Sequence, residues 1–211
     1  MKEIIKKIIY SIILMITFIS LPVNAFAKSD SKKAEFIHNH SEILGSLNGC
    51  NKYWKKNGDV RIDYLEQMIH HNEIEICMCE NIIRYTNNND VLNIANKFIK
   101  SSKECNLQLN ELLDEMRKNP IEDKLSEEKY AEEYDKKYCS MLLQLQLKRD
   151  DINIDRIFFS SSKKHHECMK RMCEIIAKYS NDEKINNLSN NISNRIEKEI
   201  KKIDKMYKHI H

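Results

Sequence analysis

Apolar side chains recur every three to four positions along most of the chain after about residue 33, a spacing typical of amphipathic helices. Short polar stretches rich in Asn and Asp interrupt this pattern, and Asn119-Pro120 interrupts it once more. The pattern predicts five or six helices, within about residues 33–56, 62–85, 91–118, 126–149, 154–179 and 183–208. Asp90 is predicted to cap the third of them.

Glycine and proline are scarce, with 3 Gly and 2 Pro in 211 residues. A fold of many short strands would need more turn residues than this, so the composition favours long helices joined by short loops. Short loops make neighbouring helices antiparallel. The predicted fold class is therefore all-α, in the form of antiparallel helical bundles.

The first 27 residues have the features of a secretory signal peptide. Basic residues come first, an apolar stretch runs from Ile8 to Leu21, and Ala25-Phe26-Ala27 forms a small-x-small cleavage site. An uncleaved membrane anchor is the alternative, but the stretch is shorter than the roughly 18 residues that a spanning helix needs. We expect cleavage after Ala27 and a mature protein outside the cytoplasmic membrane, secreted or in the cell envelope.

A motif with the order His-x6-Met-Cys-Glu-x-Ile-x-x-Tyr-x-Asn occurs twice, beginning at His71 and at His165. The two copies match at an offset of 94 positions, which relates Met78 to Met172. Matches at comparatively rare residue types favour a duplication over chance. We therefore predict a tandem repeat of about 94 residues, with a first unit at 28–119 and a second at 120–211.

The residue types kept in both copies are those that bind soft metal ions. Imidazole, thioether and thiolate groups suit copper, and Cu(I) in particular. Seven residues advance a helix by about two full turns, so the His and the Met of each copy share a face. Each residue taken alone is explained as well by core packing. The candidate ligands lie on the second and fifth predicted helices and are His70, His71, Met78, Cys79, His165, His166, Met169, Met172 and Cys173.

All seven cysteines lie after the predicted signal peptide. An odd number cannot pair completely within one chain, so at least one thiol is free, bound to metal or shared with another chain. The sequence does not decide between disulfides and free thiols for the others.

The stretch from Met68 to Cys79, together with Tyr85-Thr86 and 91–95, resembles a bacterial family known as domain of unknown function 305. The resemblance covers about residues 60–116 and, more loosely, 154–206. It implies an exported, ferritin-like helical bundle, and some members of the family are implicated in copper binding through His and Met. His71, Met78, His165, His166 and Met172 match the family pattern. Asn72 stands where a second His is expected, Ser102 and Cys105 replace a Gln and a Glu, and Glu199-Ile200 retains the end of that later motif.

Other functions find less support in the sequence. A net charge of +3, with both signs interspersed, is typical of a solvated helix surface and argues against nucleic-acid binding or strong membrane binding. No phosphate-binding loop or hydrolase motif is present, so we expect neither an enzyme nor a nucleotide-type cofactor. A structural or interaction bundle without metal is the main alternative, and the oligomeric state stays open. We expect a copper-buffering protein whose metal loading weakens as its histidines protonate, through about pH 6.5.

Overall fold

The computed structural model describes residues 31–46, 56–146 and 153–210. The predicted signal peptide and Cys50 lie outside these residues, as do residues 47–55 of the predicted first helix and 147–149 of the predicted fourth. The described residues form helices and no strands, which confirms the all-helical prediction. The described residues contain six helices: α1 at 31–46, α2 at Val60–Tyr85, α3 at Asn89–Lys118, α4 at Lys124–Gln146, α5 at Ile154–Tyr179 and α6 at Glu183–Tyr207.

Side-chain caps fix where four of the helices begin. Asp59, Asn88, Asn153 and Asp182 each accept hydrogen bonds from backbone N–H groups in the first turn of α2, α3, α5 and α6. The prediction that Asp90 caps α3 is wrong, because the Asn88 side chain already accepts from the N–H groups of Asp90 and Val91. Asp90 lies within the first turn instead, where its negative charge interacts favourably with the helix dipole.

Two helical hairpins and an additional helix form the body of the protein. α2 packs against α3, α5 packs against α6, and α2 and α4 both pack against α5. α2 and α5 are antiparallel, since Tyr64 lies beside Cys173 while His71, further along α2, lies beside His165. The apolar faces of these helices and of α1 share one core, so the middle of α2 and α5 is covered on several sides.

Arg61 joins three chain segments at one end of the bundle. Its guanidinium lies 2.6 Å from Asp59 and 3.0 Å from Asp182, and it donates a further hydrogen bond of 3.0 Å to the Asn119 carbonyl oxygen. The start of α2, the end of α3 and the start of α6 are thereby held together. The cap residues Asp59 and Asp182 thus anchor the hairpins to each other as well as starting their own helices.

A buried pair of carboxyl groups connects α2 with α4 near the same end. Asp63 accepts hydrogen bonds from the backbone and side chain of Asn57, and Glu127 accepts one from the Gly58 N–H. Gly58 has a φ of 86°, a conformation that suits glycine, and this turn delivers its N–H to Glu127. Burial, followed by the hydrogen bond and charge of Glu127, raises the pKa of Asp63 to about 8.

This raised pKa predicts that stability falls as the pH rises from acid to neutral. The folded state holds the Asp63 proton more tightly than the unfolded chain, so the free energy of unfolding falls as the pH rises from about 4 towards 8. Asp63→Asn removes the titration, and we expect its thermal midpoint to change less over this range than that of the wild type. Asp114→Asn, at an exposed position of α3, is the control. Equal pH slopes for the wild type and Asp63→Asn would contradict the assignment.

The six described cysteines are free thiols: Cys77, Cys79, Cys105, Cys139, Cys168 and Cys173. The core therefore depends on packing, without a covalent cross-link among these six. Across the part of the chain that the structure describes, no helix is both long and apolar enough to cross a membrane.

Candidate metal centre between α2 and α5

Two histidines meet where α2 and α5 cross. Nδ1 of His71 lies 2.9 Å from Nε2 of His165, and both side chains are completely buried. Both residues were candidates on sequence grounds, and they are the corresponding residues of the two motif copies. The crossing of the two helices thus forms the centre of a buried polar cluster.

Glu75 places a carboxylate in this cluster. It follows His71 by one helical turn and therefore lies on the same face of α2. Its Oε2 atom is 3.2 Å from Nδ1 of His165 and 3.6 Å from Nδ1 of His166. One ligand atom from each of Glu75, His165 and His166 lies within 4.8 Å of the others, the sole such group of three or more His, Cys, Asp or Glu residues in the described chain.

The second oxygen of Glu75 is held by two weaker donors. The Ser162 hydroxyl donates to Oε1 over 3.3 Å, and the Cys79 thiol donates to the same atom over 3.5 Å. Cys79 is thus in contact with the cluster through the carboxylate. Because both oxygens of Glu75 are engaged, the carboxylate has a fixed orientation.

His166 bridges the cluster to α6. Its Nδ1 donates a 2.7 Å hydrogen bond to the Ser162 carbonyl oxygen, and its Nε2 lies 3.1 Å from Oε2 of Glu199. Glu199 in turn accepts a hydrogen bond of 2.8 Å from the Ser101 hydroxyl. A carbonyl oxygen only accepts, so Nδ1 of His166 must carry a hydrogen.

Arg195 adds a positive charge on the far side of Glu199, at 4.0 Å from its carboxylate. The guanidinium is held by the Ser101 carbonyl and by the side-chain oxygen of Asn72. Asn72, at the position where the resembled family has histidine, therefore helps to position Arg195.

The charges of the cluster follow from this geometry. Burial lowers the pKa of His166, but the charges and hydrogen bonds of Glu75 and Glu199 outweigh it and leave the pKa above its ordinary value. Burial would likewise raise the pKa of both carboxyl groups, yet the interaction with His166 is the main cause that lowers each of them. His166 is therefore an imidazolium between two carboxylates, which balances much of the buried charge.

The remaining histidines form a directed row of hydrogen bonds. Burial, and then repulsion from His165 and His70, lowers the pKa of His71 well below its ordinary value, so His71 is neutral. In the neutral tautomer of His165 that donates from Nδ1 to ionised Glu75, Nε2 of His165 accepts from Nδ1 of His71. Nε2 of His71 then accepts from the Tyr134 hydroxyl over 3.3 Å. The row runs from Tyr134 through both imidazoles to Glu75.

Aromatic rings cover this row and the neighbouring His166. Tyr134 and Tyr138 of α4 lie edge-on to His71, with ring centroids 6.4 and 5.8 Å away. Phe98 of α3 lies 5.3 Å from the ring of His166. The rings separate the charged groups from water and so strengthen the electrostatic interactions inside.

The other sequence-predicted ligands lie in different surroundings. His70 is partly exposed and 3.8 Å from Glu73 on the surface of α2. Cys173 contacts the Tyr64 hydroxyl at 3.4 Å, and burial raises its pKa to about 11. The thioethers belong to the apolar core and are those of Met78, Met169 and Met172.

Comparison with known proteins identifies the domain. A family model described as a domain of unknown function, DUF305, matches residues 59–207. No curated protein and no solved structure matches the chain. The matched residues begin at the cap of α2 and end with α6, so they contain the whole polar cluster, whereas α1 lies outside them.

Proposed function

We propose a function for this chain, which belongs to the domain of unknown function 305 (DUF305) family: it binds a single transition-metal ion of the copper type. The ligands are Glu75, His165 and His166. The observation that carries the proposal is the convergence of a carboxylate and two imidazoles on one buried point, with their ligand atoms within 4.8 Å of one another. Burying a carboxylate and two imidazoles together costs free energy, and the binding of an ion would offset that cost.

The spacing of the donor atoms suits a small metal ion. Two ligands at about 2.0–2.1 Å from a tetrahedral ion lie about 3.3 Å from each other. The distances from Glu75 Oε2 to the two Nδ1 atoms, 3.2 and 3.6 Å, lie on either side of that value. These two distances suit ligands of one small ion, and His166 would exchange its hydrogen bond to the Ser162 carbonyl oxygen for a bond to the ion.

The outer partners of the two imidazoles are those expected of metal ligands. With Nδ1 directed to an ion, His166 donates its Nε2–H to Glu199, and His165 donates its Nε2–H to His71. The bond to His71 requires both imidazoles to change tautomer, so that each carries its hydrogen on Nε2. Nε2–H of His71 then donates to Tyr134. The row of hydrogen bonds permits this because Tyr134 can accept as well as donate.

Copper is favoured by charge. Two imidazoles and a carboxylate can bind Zn and Fe(II) as well as copper, so the donors alone do not select the ion. His166 must lose its Nδ1 proton to bind, so one positive charge leaves the cluster. A monovalent ion such as Cu(I) restores that charge, whereas a divalent ion would leave an extra charge buried at low dielectric.

The positions of the helix caps support a duplication of the chain, with a site between its two halves. The cap residues Asp59 and Asn153, and likewise Asn88 and Asp182, are separated by the same 94 positions as the motif copies. On this basis we propose two related units, 28–119 and 120–211, in a ferritin-like arrangement. His71 and His165 are corresponding residues, so the site would lie where the two units meet.

In this proposal the protein holds the ion without catalysis, outside the cytoplasmic membrane after removal of the signal peptide. The complete burial of His165 favours slow release over exchange with a substrate. The alternative of a metal-free structural bundle also has an observation in its favour: all six ring nitrogens of His71, His165 and His166 already have hydrogen-bond partners.

Metal titration separates the two functions. We expect the mature protein to bind one equivalent of Cu(I) under anaerobic, reducing conditions, and His165→Ala to lose this saturable binding. His38→Ala, which removes an exposed imidazole from α1, is expected to bind as the wild type does. Circular dichroism of each variant checks that the helices persist. A wild type that shows no saturable binding of Cu(I) would support the structural bundle.

A further inference from the structure

The second half of α6 carries a row of lysines on its exposed side. We call these five exposed residues the lysine face, and they are Lys198, Lys201, Lys202, Lys205 and Lys208. At about 100° for each residue, they lie within a sector of about 120°, on the side of α6 opposite its buried isoleucines. The row extends over about 15 Å of the helix axis.

The fold separates these lysines from the acidic residues that alternate with them in the sequence. Glu199 is buried and engaged with an imidazole of the polar cluster. Glu197 and Asp204 lie at the edge of α6 that meets α5. There, Glu197 is 3.2 Å from Nζ of Lys170, and Asp204 is 2.5 Å from Nζ of Lys163. The three carboxylates are therefore directed to the interior or to α5.

The lysine face is therefore strongly positive. Of its five lysines, only Lys201 forms an ion pair with a described residue, at 2.8 Å from Glu197. Since the whole chain has a net charge of +3, the residues outside this face have a net negative charge when taken together. The fold thus sorts the interspersed charges of the sequence into one basic face and a remainder that is acidic overall.

The surroundings of the lysine face add no opposing charge along α6 and a further lysine on α3. Lys97 is exposed and lies one helical turn before Ser101, whose hydroxyl contacts Glu199, so it is on the side of α3 that meets α6. Ahead of the lysine face, the exposed side of α6 continues with neutral residues, which are Asn187, Asn190, Asn191 and Asn194.

The chemistry of this face suits a flat anionic surface. Its ammonium groups form a row of point charges along a single helix, and clusters of four to eight such residues are attracted to anionic lipids. Within 198–208, the exposed residues of α6 include no arginine and no aromatic ring, the side chains that commonly read or stack on nucleic-acid bases. The same residues include no exposed apolar side chain that could enter the hydrocarbon layer, so attachment would be electrostatic and reversible.

We propose that the lysine face binds the anionic headgroup surface of a lipid bilayer. The protein then lies on the membrane with the second half of α6 towards the lipids. The sequence predicts no strong membrane binding, and this attachment is accordingly weak, because salt screens exposed charges. The inference does not depend on the metal centre, which lies in the interior of the bundle. An exported protein that buffers an ion would be kept near the cell in this way.

Vesicle co-sedimentation tests the proposal with two variants of equal net charge. The probes are vesicles of phosphatidylcholine alone and vesicles in which about one third of the lipid is phosphatidylglycerol. One variant replaces three residues of the lysine face, and the control replaces three exposed lysines of α3 and α4. The substitutions are Lys198→Gln, Lys202→Gln and Lys205→Gln in the first variant, and Lys118→Gln, Lys129→Gln and Lys137→Gln in the control.

We expect the mature wild type to bind the anionic vesicles at about 0.05 M salt, to be released at about 0.5 M salt, and not to bind phosphatidylcholine alone. Each lysine close to an anionic membrane contributes about fivefold in affinity, so the lysine-face variant should bind about 100-fold more weakly. The control should bind within about threefold of the wild type, because its lysines lie elsewhere. Since all six substituted positions are exposed, both variants should keep the fold, which circular dichroism checks.

Three results would overturn the proposal. The first is a wild type that does not bind the anionic vesicles. The second is equal weakening in the two variants, which would show a response to net charge alone. The third is binding to heparin or single-stranded DNA without binding to vesicles, which would make a soluble polyanion the partner.

Discussion

Glu75→Gln is expected to abolish tight Cu(I) binding and to lower the free energy of unfolding by about 3–5 kcal/mol, the usual cost of removing one partner from a buried ion pair. The substitution preserves the shape of the side chain but removes the charge between His165 and His166. His166 would then retain Glu199 alone as an anionic partner. Chemical denaturation and Cu(I) competition measure the two effects separately.

Glu73→Gln is the matched control, since Glu73 is an exposed residue of α2 whose carboxylate lies near the surface imidazole of His70. We expect it to change the free energy of unfolding by no more than about 0.5 kcal/mol and to leave Cu(I) binding unaltered. Near-equal stability and affinity in the two variants would mean that Glu75 is an incidental part of the core.

The affinity for Cu(I) should depend steeply on pH. His166 is protonated in the metal-free protein and must lose its Nδ1 proton to bind, so protons compete with the ion. Because the pKa of His166 is raised above its ordinary value of about 6.5, the competition extends to neutral pH. Below that pKa, the affinity should fall about tenfold for each pH unit.

Two measurements check this dependence. Chelator competition between pH 5.5 and 8.5 gives the slope, and a pH electrode in weakly buffered solution counts the protons released, which we expect to be about one for each Cu(I) bound. An affinity that does not change with pH, with no proton release, would show that the ion binds elsewhere or that His166 is not a ligand.

The helices were largely readable from the sequence because apolar residues recur at helical spacing and because Asn or Asp residues follow α2, α3 and α5. α5 begins and ends at the predicted residues, and the bounds of α2 and α6 differ by two residues or fewer. The cap of α3 was placed two residues late, because Asn88 and Asp90 have equally suitable side chains and only the backbone geometry distinguishes them.

The site was partly predictable. A duplicated motif drew attention to His71 and His165, which the fold brings into contact. It could not indicate Glu75, because the carboxylate occurs in one copy only, and its sole signal was a position one turn after His71. The sulfur residues share helical faces with the histidines, but residues seven apart are about 10 Å apart along the axis, which separates Met78 and Met172 from the imidazoles.

Anomalous diffraction at the copper edge, from crystals of the copper-loaded protein, would locate the ion directly. We predict one strong peak between Oε2 of Glu75 and the Nδ1 atoms of His165 and His166, within about 2.2 Å of each. A peak at surface His70, at a cysteine remote from Glu75, or no peak in a protein that retains its fold would contradict a metal centre between α2 and α5.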